Sequence, residues 1–362
     1  MPSGRLCLPE GVTGAIITGG MLATLLLTAL AQEPRGPDEI AKELASKDPV
    51  RRAQAAMDLA SLGASEHAGK IAALLEDSKP SVRAAAARAL GRLGAKEFAD
   101  RIAKLLKDRE PDPRYMAAEA LGALGAKAHT EAVAELLRDR DASVVGGAIL
   151  ALGELGAKEH ARTLAGFLSK KPAKGAPDLR PAAARALGRL GAADQAKEIA
   201  RLLREPEAPV RRAAMDALVE LKAADQAAEI ARLLKDPDRD VRTRAIRALG
   251  QLGAKDRVEE IARLLGEKEP EVLSEAAWTL ARLEAASHAA KIAALLENKN
   301  AVVRGAAIEA LGRLDARDHA DKIRARLKDE APYVTWNDAA SKWEDRTVGE
   351  TAAKVLEAWG ER

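Results

Sequence analysis

The sequence is poor in aromatic residues and in cysteine. Phenylalanine, tryptophan and tyrosine make up only 2% of the 362 residues, which excludes a core built around large rings. The single cysteine, Cys7, lies near the N-terminus, so residues 32 to 362 contain no thiol. That part of the chain forms no disulfide and offers neither a cysteine nucleophile nor a thiolate metal ligand. Its stability must come from packing.

The chain also lacks a strong excess of either charge. It has 58 basic and 55 acidic residues, a formal net charge of +3. So small an excess is a weak signal for nucleic acid, and we expect no nucleic-acid partner. The sequence contains no phosphate-binding loop, nucleophile elbow or Ser-His-Asp arrangement. We therefore expect a protein that is not an enzyme, without catalytic residues, cofactor or metal ion.

The N-terminal segment differs in composition from the rest. Between Glu10 and Glu33 lie 22 uncharged residues, preceded by Arg5 and ending in the small-residue pattern Ala29-Leu30-Ala31. This arrangement is typical of a secretory signal peptide. A retained membrane anchor is the alternative, because the stretch is just long enough to span a bilayer. Both interpretations predict export to the periplasm or the extracellular space, with membrane contact only if the segment stays uncleaved.

Alanine, leucine and charged residues dominate the remaining chain and recur with a fixed period. This composition favours helices, and strands are not expected. Phrases similar to ALGELGA return nine times, in steps of 31 residues and one step of 35. The first leucines of these phrases, which we call anchors, are Leu59, Leu90, Leu121, Leu152, Leu187, Leu218, Leu249, Leu280 and Leu311. The sequence therefore contains nine copies of one repeat, numbered 1 to 9 below.

Each copy predicts two amphipathic helices, because its apolar residues are three and four positions apart. In copy 4 these first and second helices are predicted over 143–155 and 158–169. Six copies carry glycine after the second leucine of the phrase, where a left-handed residue ends a helix. Lys222, Glu284 and Asp315 replace it in the other three, at a cost of up to about 1 kcal/mol each if the turn is kept.

Phrases such as DPDRDVRTRAIRALGQLGAKDRVEEIARLLGEKEP resemble HEAT repeats, most closely the short type of the phycobilin lyase-like group. The resemblance covers residues 37 to 327. It implies an all-α, right-handed solenoid of about nine 31-residue helix pairs with helical caps at both ends and the second helices on its concave side. The predicted organisation is a signal peptide or anchor at 1–31, a linker and capping helix at 32–47, the array at 48–327 and a tryptophan-containing cap at 328–362.

Two polar columns follow the same period. One lies eight residues after the anchors, where five copies have histidine and the others have Phe98, Gln195, Gln226 and Arg257. Such variety favours hydrogen bonding at a helix start over metal binding, for which neighbours such as His129 and His160 lack an obvious third ligand. The histidines are His67, His129, His160, His288 and His319.

The other column is an arginine seven residues before the anchor. The resemblance implies that it joins acidic loop residues of the neighbouring copy, such as Asp48, Asp141 or Asp238. Its members are Arg52, Arg83, Arg114, Arg180, Arg211, Arg242 and Arg304.

Two further groups are candidates for binding a partner. On the second helices of copies 5 to 7, glutamate and arginine columns either screen each other or recognise complementary charges. Near the C-terminus, Trp336 and Trp343 either cover the end of the array or form an exposed hot spot. The charged candidates are Glu198, Glu229, Glu260, Arg201, Arg232 and Arg263.

The sequence as a whole predicts an exported, non-catalytic scaffold or adaptor that binds a protein or peptide on its concave face. The alternative comes from the resemblance to lyase-like repeats. It is a bilin lyase-like enzyme that holds a chromophore in the groove.

Overall fold

The computed structural model describes residues 35–337 and 342–361. The proposed signal peptide or anchor at 1–31 lies outside them. The described residues form twenty α-helices and one two-stranded sheet. The helices are α1 (Pro37–Lys42), α2 (Pro49–Ser61), α3 (Ala68–Ala73), α4 (Pro80–Arg92), α5 (Ala99–Lys104), α6 (Pro111–Leu124), α7 (Thr130–Glu135), α8 (Ala142–Leu155), α9 (Ala161–Ala165), α10 (Arg180–Leu190), α11 (Ala196–Arg201), α12 (Ala208–Glu220), α13 (Ala227–Ala231), α14 (Arg239–Gln251), α15 (Val258–Arg263), α16 (Pro270–Arg282), α17 (Ala289–Ala294), α18 (Ala301–Arg313), α19 (Ala320–Arg324) and α20 (Val348–Ala358).

The helices alternate between two kinds, as the period predicts. The even-numbered helices from α2 to α18 are the long first helices of copies 1 to 9, and the odd-numbered helices from α3 to α19 are the short second helices. Each first helix packs against the first helix of the next copy, and each second helix also packs against that next first helix. Every copy is therefore held by its neighbour, which confirms the all-α solenoid.

The core runs along the array through the repeated apolar positions. All nine anchor leucines, from Leu59 to Leu311, are completely buried. Burying one such side chain contributes about 1.5–3 kcal/mol, so the anchors are a major source of stability. Copy 9 departs from the pattern, since Leu327 is exposed and Arg324 and Arg326 form ion pairs with Glu361 and Glu297.

A glycine directly after the anchor lets neighbouring first helices approach closely. A Cβ atom on Gly91 would lie 2.9 Å from the Cα of Ala120, and one on Gly153 would lie 2.8 Å from the Cα of Ala186. Real Cβ atoms do not come so near to backbone, so these positions require glycine. Sequence reasoning used this glycine to align the copies and missed its packing role.

The turn between the two helices of each copy has the predicted left-handed residue. Glycine has a positive φ there in six copies, for example 68° at Gly63. The three replacements keep the same turn, with φ of 53° at Lys222, 60° at Glu284 and 50° at Asp315. The condition left open by the sequence is therefore met, and the three copies keep the left-handed turn at its steric cost.

We expect Lys222→Gly to stabilise the protein by up to about 1 kcal/mol, because glycine adopts positive φ without a Cβ penalty. Urea denaturation measures the change. The matched variant Gly253→Ala places a Cβ in the same turn of copy 7, where φ is 67°, and should destabilise by a similar amount. A destabilising Lys222→Gly would show that the lysine side chain has a role that outweighs the strain.

The C-terminal end contains a β-hairpin that was not expected. Strands β1 (Pro332–Asn337) and β2 (Lys342–Thr347) are antiparallel, and Trp336 is opposite Trp343 in the register. The sequence Tyr333-Val334-Thr335-Trp336 consists of aromatic and β-branched residues, which favour strands. The expectation that the chain contains no strands was wrong here, because it rested on the composition of the whole chain.

The hairpin and α20 lie against copy 9. The Tyr333 ring covers Gly305, and its hydroxyl donates to Glu309 Oε1 at 2.9 Å and lies 2.7 Å from Thr351 Oγ1. Trp278 Nε1 donates to the other oxygen of the Glu309 carboxylate at 2.8 Å. These contacts tie copies 8 and 9 to the hairpin and α20.

Within the described residues, each helix is too short or too polar to be a transmembrane segment.

Candidate functional site

An arginine ladder joins successive copies. In copy 3, Arg114 Nε and Nη2 donate to the two carboxylate oxygens of Asp139 at 2.7 and 2.8 Å, and Nη1 donates to the carbonyl oxygen of Asp108 at 2.8 Å. Each bidentate pair connects an arginine to an aspartate 25 residues later, in the next loop. The same bidentate geometry occurs at Arg52–Asp77, Arg83–Asp108 and Arg304–Asp329. The predicted ladder is present.

The acidic partners differ from those named from sequence. Asp48, Asp141 and Asp238 accept hydrogen bonds from backbone N–H groups at the starts of α2, α8 and α14, so they cap helices. The choice of these residues was wrong, because the loop carries two acidic positions and sequence spacing alone does not tell the capping residue from the arginine partner.

Burial and the arginine ladder shift the pKa values of the ladder aspartates in opposite directions. Burial raises the pKa of Asp139, but hydrogen bonds from Arg114 and from the backbone N–H of Asp141, with the charge of Arg114, hold it below its ordinary value. The pKa values of Asp77 and Asp108 are lowered for equivalent reasons. These groups are therefore ionised and structural at neutral pH.

The histidine column also links neighbouring copies. His67, His129, His160 and His288 lie 3.0–3.3 Å from a carboxylate on the preceding copy, 29 residues earlier. His319 has Ala290 at the equivalent position, and the copies with Phe98, Gln195, Gln226 or Arg257 have no acid there. Histidine and carboxylate thus occur as a pair. The His160–Glu131 contact has hydrogen-bond geometry, whereas Nε2 of His67 and of His288 is buried without a hydrogen-bond partner among the described residues.

One group in this column has more than two potential metal ligands. A ligand atom from each of Glu131, Glu159 and His160 lies within 4.8 Å of the others. This group does not include His129, and Glu131 of copy 3 comes close to His160 only when the second helices stack. The contact between His160 and Glu131 at 3.2 Å is nevertheless the histidine–carboxylate contact found in three other copies, and the carboxylates are exposed.

The candidate charges on the second helices of copies 5 to 7 lie on one surface, which we call the second-helix face. It comprises the glutamate column Glu198, Glu229 and Glu260 and the arginine column Arg201, Arg232 and Arg263. Arg201 and Arg232 donate to Glu198 and Glu229 of their own helices at 2.6 and 3.1 Å. Their side chains remain 75% and 64% exposed, so these pairs stay available to a partner.

Copy 7 departs from this internal pairing. Glu260 accepts from Arg257 Nη1 at 3.1 Å, and Arg263 has no hydrogen-bond or ion-pair partner among residues 35–337 and 342–361. A cleft of about 440 Å³ opens beside Arg263 between copies 6 and 7. Its lining includes Leu234, Lys235, Arg242, Glu260, Arg263 and Glu267. The sequence showed the charge columns but did not reveal this cleft. The one sequence feature that marks it is Arg257, which stands in copy 7 where copy 6 has Gln226.

The two tryptophans predicted as partner-binding candidates, Trp336 and Trp343, are opposite each other on the two strands of the hairpin. Their assignment to binding stays a prediction, as does that of the charged columns.

Two solved structures are similar to this chain. A crystal structure of an engineered protein is 18% identical, covers 90% of this chain and 98% of its own, and has a TM-score of 0.47. The complex of CpcE and CpcF of phycocyanin lyase from Nostoc sp. PCC7120 is 23% identical, with coverage of 79% and 96% and a TM-score of 0.38. No curated protein sequence matches the chain.

The second likeness corrects the expectation that the chain is not an enzyme. A structure described as a phycocyanin lyase complex is among the similar proteins. Missing catalytic motifs were a poor guide, because those motifs belong to other folds. The expectation that the chain lacks enzymatic activity is therefore withdrawn.

The family model for HEAT repeats matches residues 37–112, 99–176 and 227–301. These matches cover more than half of the chain, and they agree with the stacked helix pairs and the period of 31 residues. The protein belongs to the HEAT-repeat family.

Proposed function

We propose that the protein is an exported scaffold or adaptor that binds a segment of another protein along the second-helix face. The observation that carries this proposal is the regular pair of charge columns in copies 5 to 7, with exposed arginines one helix apart. Charges spaced in this way recognise a complementary pattern and contribute more to specificity than to affinity.

The packing of the array supports the choice of this face. First helices pack against the first helices of neighbouring copies, and each second helix packs against the next first helix. In copies 5 to 7 the arginine column is exposed, and the glutamate column is exposed or half-buried. In the proposed solenoid this surface is concave, so that neighbouring copies contribute to one groove.

The experiment compares partner capture by two charge-reversed variants of the full, epitope-tagged chain in its native host. Arg201→Glu, Arg232→Glu and Arg263→Glu together should lower capture of the partner by at least about tenfold at low salt. The control combines Arg92→Glu, Arg185→Glu and Arg282→Glu. These arginines are exposed on first helices, so the control changes net charge equally while leaving the second-helix face intact.

Unchanged capture by the second-helix variant would overturn the proposal, as would equal losses in both variants. The bilin lyase-like alternative has a separate readout, a visible absorption band on the purified protein. Recovery of the protein only from the cytosol would contradict export.

A further inference from the structure

The grooves on either side of copy 6 differ in how their charges are paired. Between copies 5 and 6, Glu229 accepts from Arg204 at 3.0 Å and from Arg232 at 3.1 Å. One carboxylate therefore pairs with both arginines, so neither cation at these two positions is without an ion-pair partner. The equivalent residues between copies 6 and 7 are Glu260, Lys235 and Arg263.

In the groove between copies 6 and 7, the carboxylate of Glu260 pairs with a different residue. Arg257 stands where copies 5 and 6 have Gln195 and Gln226, and its Nη1 donates to Glu260 Oε1 at 3.1 Å. Glutamine is uncharged and does not compete for the glutamate in the same way. Lys235 and Arg263 consequently have no ion-pair partner within the described part of the chain, and both are exposed at the 440 Å³ cleft.

The arginine ladder changes at the same place. The residue 25 positions after Arg242 is Glu267, not the aspartate found at most other steps, and Arg242 donates instead to Glu269 at 3.0 Å. Arg242 Nε is buried without a hydrogen-bond partner in the described residues, while Glu267 lines the cleft. Arg211, one step earlier, also has a buried Nε without a partner among the described residues, so the Arg242 step is set apart by its acceptor, Glu269 in place of an aspartate.

We infer that this cleft binds one aspartate or glutamate side chain of the partner, between Lys235 and Arg263, and that Arg257 keeps the cleft available by holding Glu260. The inference rests on the proposed function and adds the chemistry of the partner. A volume of about 440 Å³ accommodates a small number of side chains. Three carboxylates, Asp236, Glu260 and Glu267, also line the cleft and repel a second negative charge, so the occupant is a protein segment with an isolated carboxylate rather than a polyanion.

The experiment uses two fluorescein-labelled decapeptides of glycine and serine with one central glutamate or one central glutamine. Binding to the full chain is measured by fluorescence anisotropy at an ionic strength of about 20 mM, where screening is weak. We expect the glutamate peptide to bind about five- to tenfold more tightly, because two exposed cations each contribute modestly. Arg263→Gln should remove this preference.

The decisive variant is Arg257→Gln, which leaves Lys235 and Arg263 in place. It should release Glu260 to pair with them, as Glu229 does in copy 6, and reduce the preference to less than about twofold. Adding Glu260→Gln to this variant should restore the preference. Arg92→Gln removes one exposed charge from a first helix and should have no effect.

Equal binding of both peptides to the unaltered protein would overturn the inference, and so would a full preference in Arg257→Gln. If either result occurs while the combined Arg201→Glu, Arg232→Glu and Arg263→Glu variant still loses partner capture, only the assignment of this cleft fails. If the triple reversal also has no effect, the proposed function fails as well.

Discussion

Replacing Arg114 with alanine is expected to destabilise copies 3 and 4 by about 3–5 kcal/mol, because it leaves a buried carboxylate without its partner. The side chains of Arg114 and Asp139 are only 7% and 8% exposed, and the arginine also satisfies the carbonyl oxygens of Asp108 and Arg109. Since each copy is stabilised mainly by its neighbours, the loss should be local. Hydrogen exchange of amides in α6 and α8 measures it.

The control for this variant is Arg92→Ala, which removes an exposed arginine from α4 and should change stability by less than about 0.5 kcal/mol. A loss of under about 1 kcal/mol in Arg114→Ala would show that the ladder is dispensable.

The effect should also depend on pH. The pKa of Asp139 is lower in the folded protein than its ordinary value of 3.8, so the stabilisation is fully present above that value. It is lost as the pH falls through the lowered pKa of the folded state. The difference between wild type and Arg114→Ala should therefore shrink in acid, and a difference that grows would contradict the role of the ionised carboxylate.

A valine in place of Gly153 is expected to destabilise the junction of copies 4 and 5 by at least about 1–3 kcal/mol, the usual cost of overpacking. Even the first added carbon would lie 2.8 Å from the Cα of Ala186 and 3.0 Å from its Cβ. Backbone cannot move aside as a flexible side chain does, so α8 and α10 must separate. Urea denaturation followed by circular dichroism measures the change.

Gly69→Ala is the matched control, because Gly69 lies in helix α3 with no atom within 4 Å of its added Cβ. That variant should stabilise the protein by up to about 1 kcal/mol, since alanine has the higher helix propensity. If Gly153→Val were as stable as wild type, the close approach of the first helices would not be a requirement of the array.

The sequence by itself determined the repeat and its local geometry. The anchor leucines are buried because a period of 31 residues returns each of them to the same face of a first helix. Lys222, Glu284 and Asp315 adopt positive φ because their position in the repeat demands it, and position is visible in the sequence. The hairpin was missed because a local run of strand-forming residues near Tyr333 contributes little to the composition of 362 residues.

Only the tertiary structure decided which charges meet across copies. Stacking brings Glu131 to His160 and Asp139 to Arg114, although these partners are 29 and 25 residues apart in sequence. It also directs Glu260 to Arg257 and leaves Lys235 and Arg263 beside a cleft, without an ion-pair partner in the part of the chain that the structure describes. The physical reason is that a period fixes which residues share a face, whereas each ion pair depends on side-chain distances of a few ångströms between neighbouring helices.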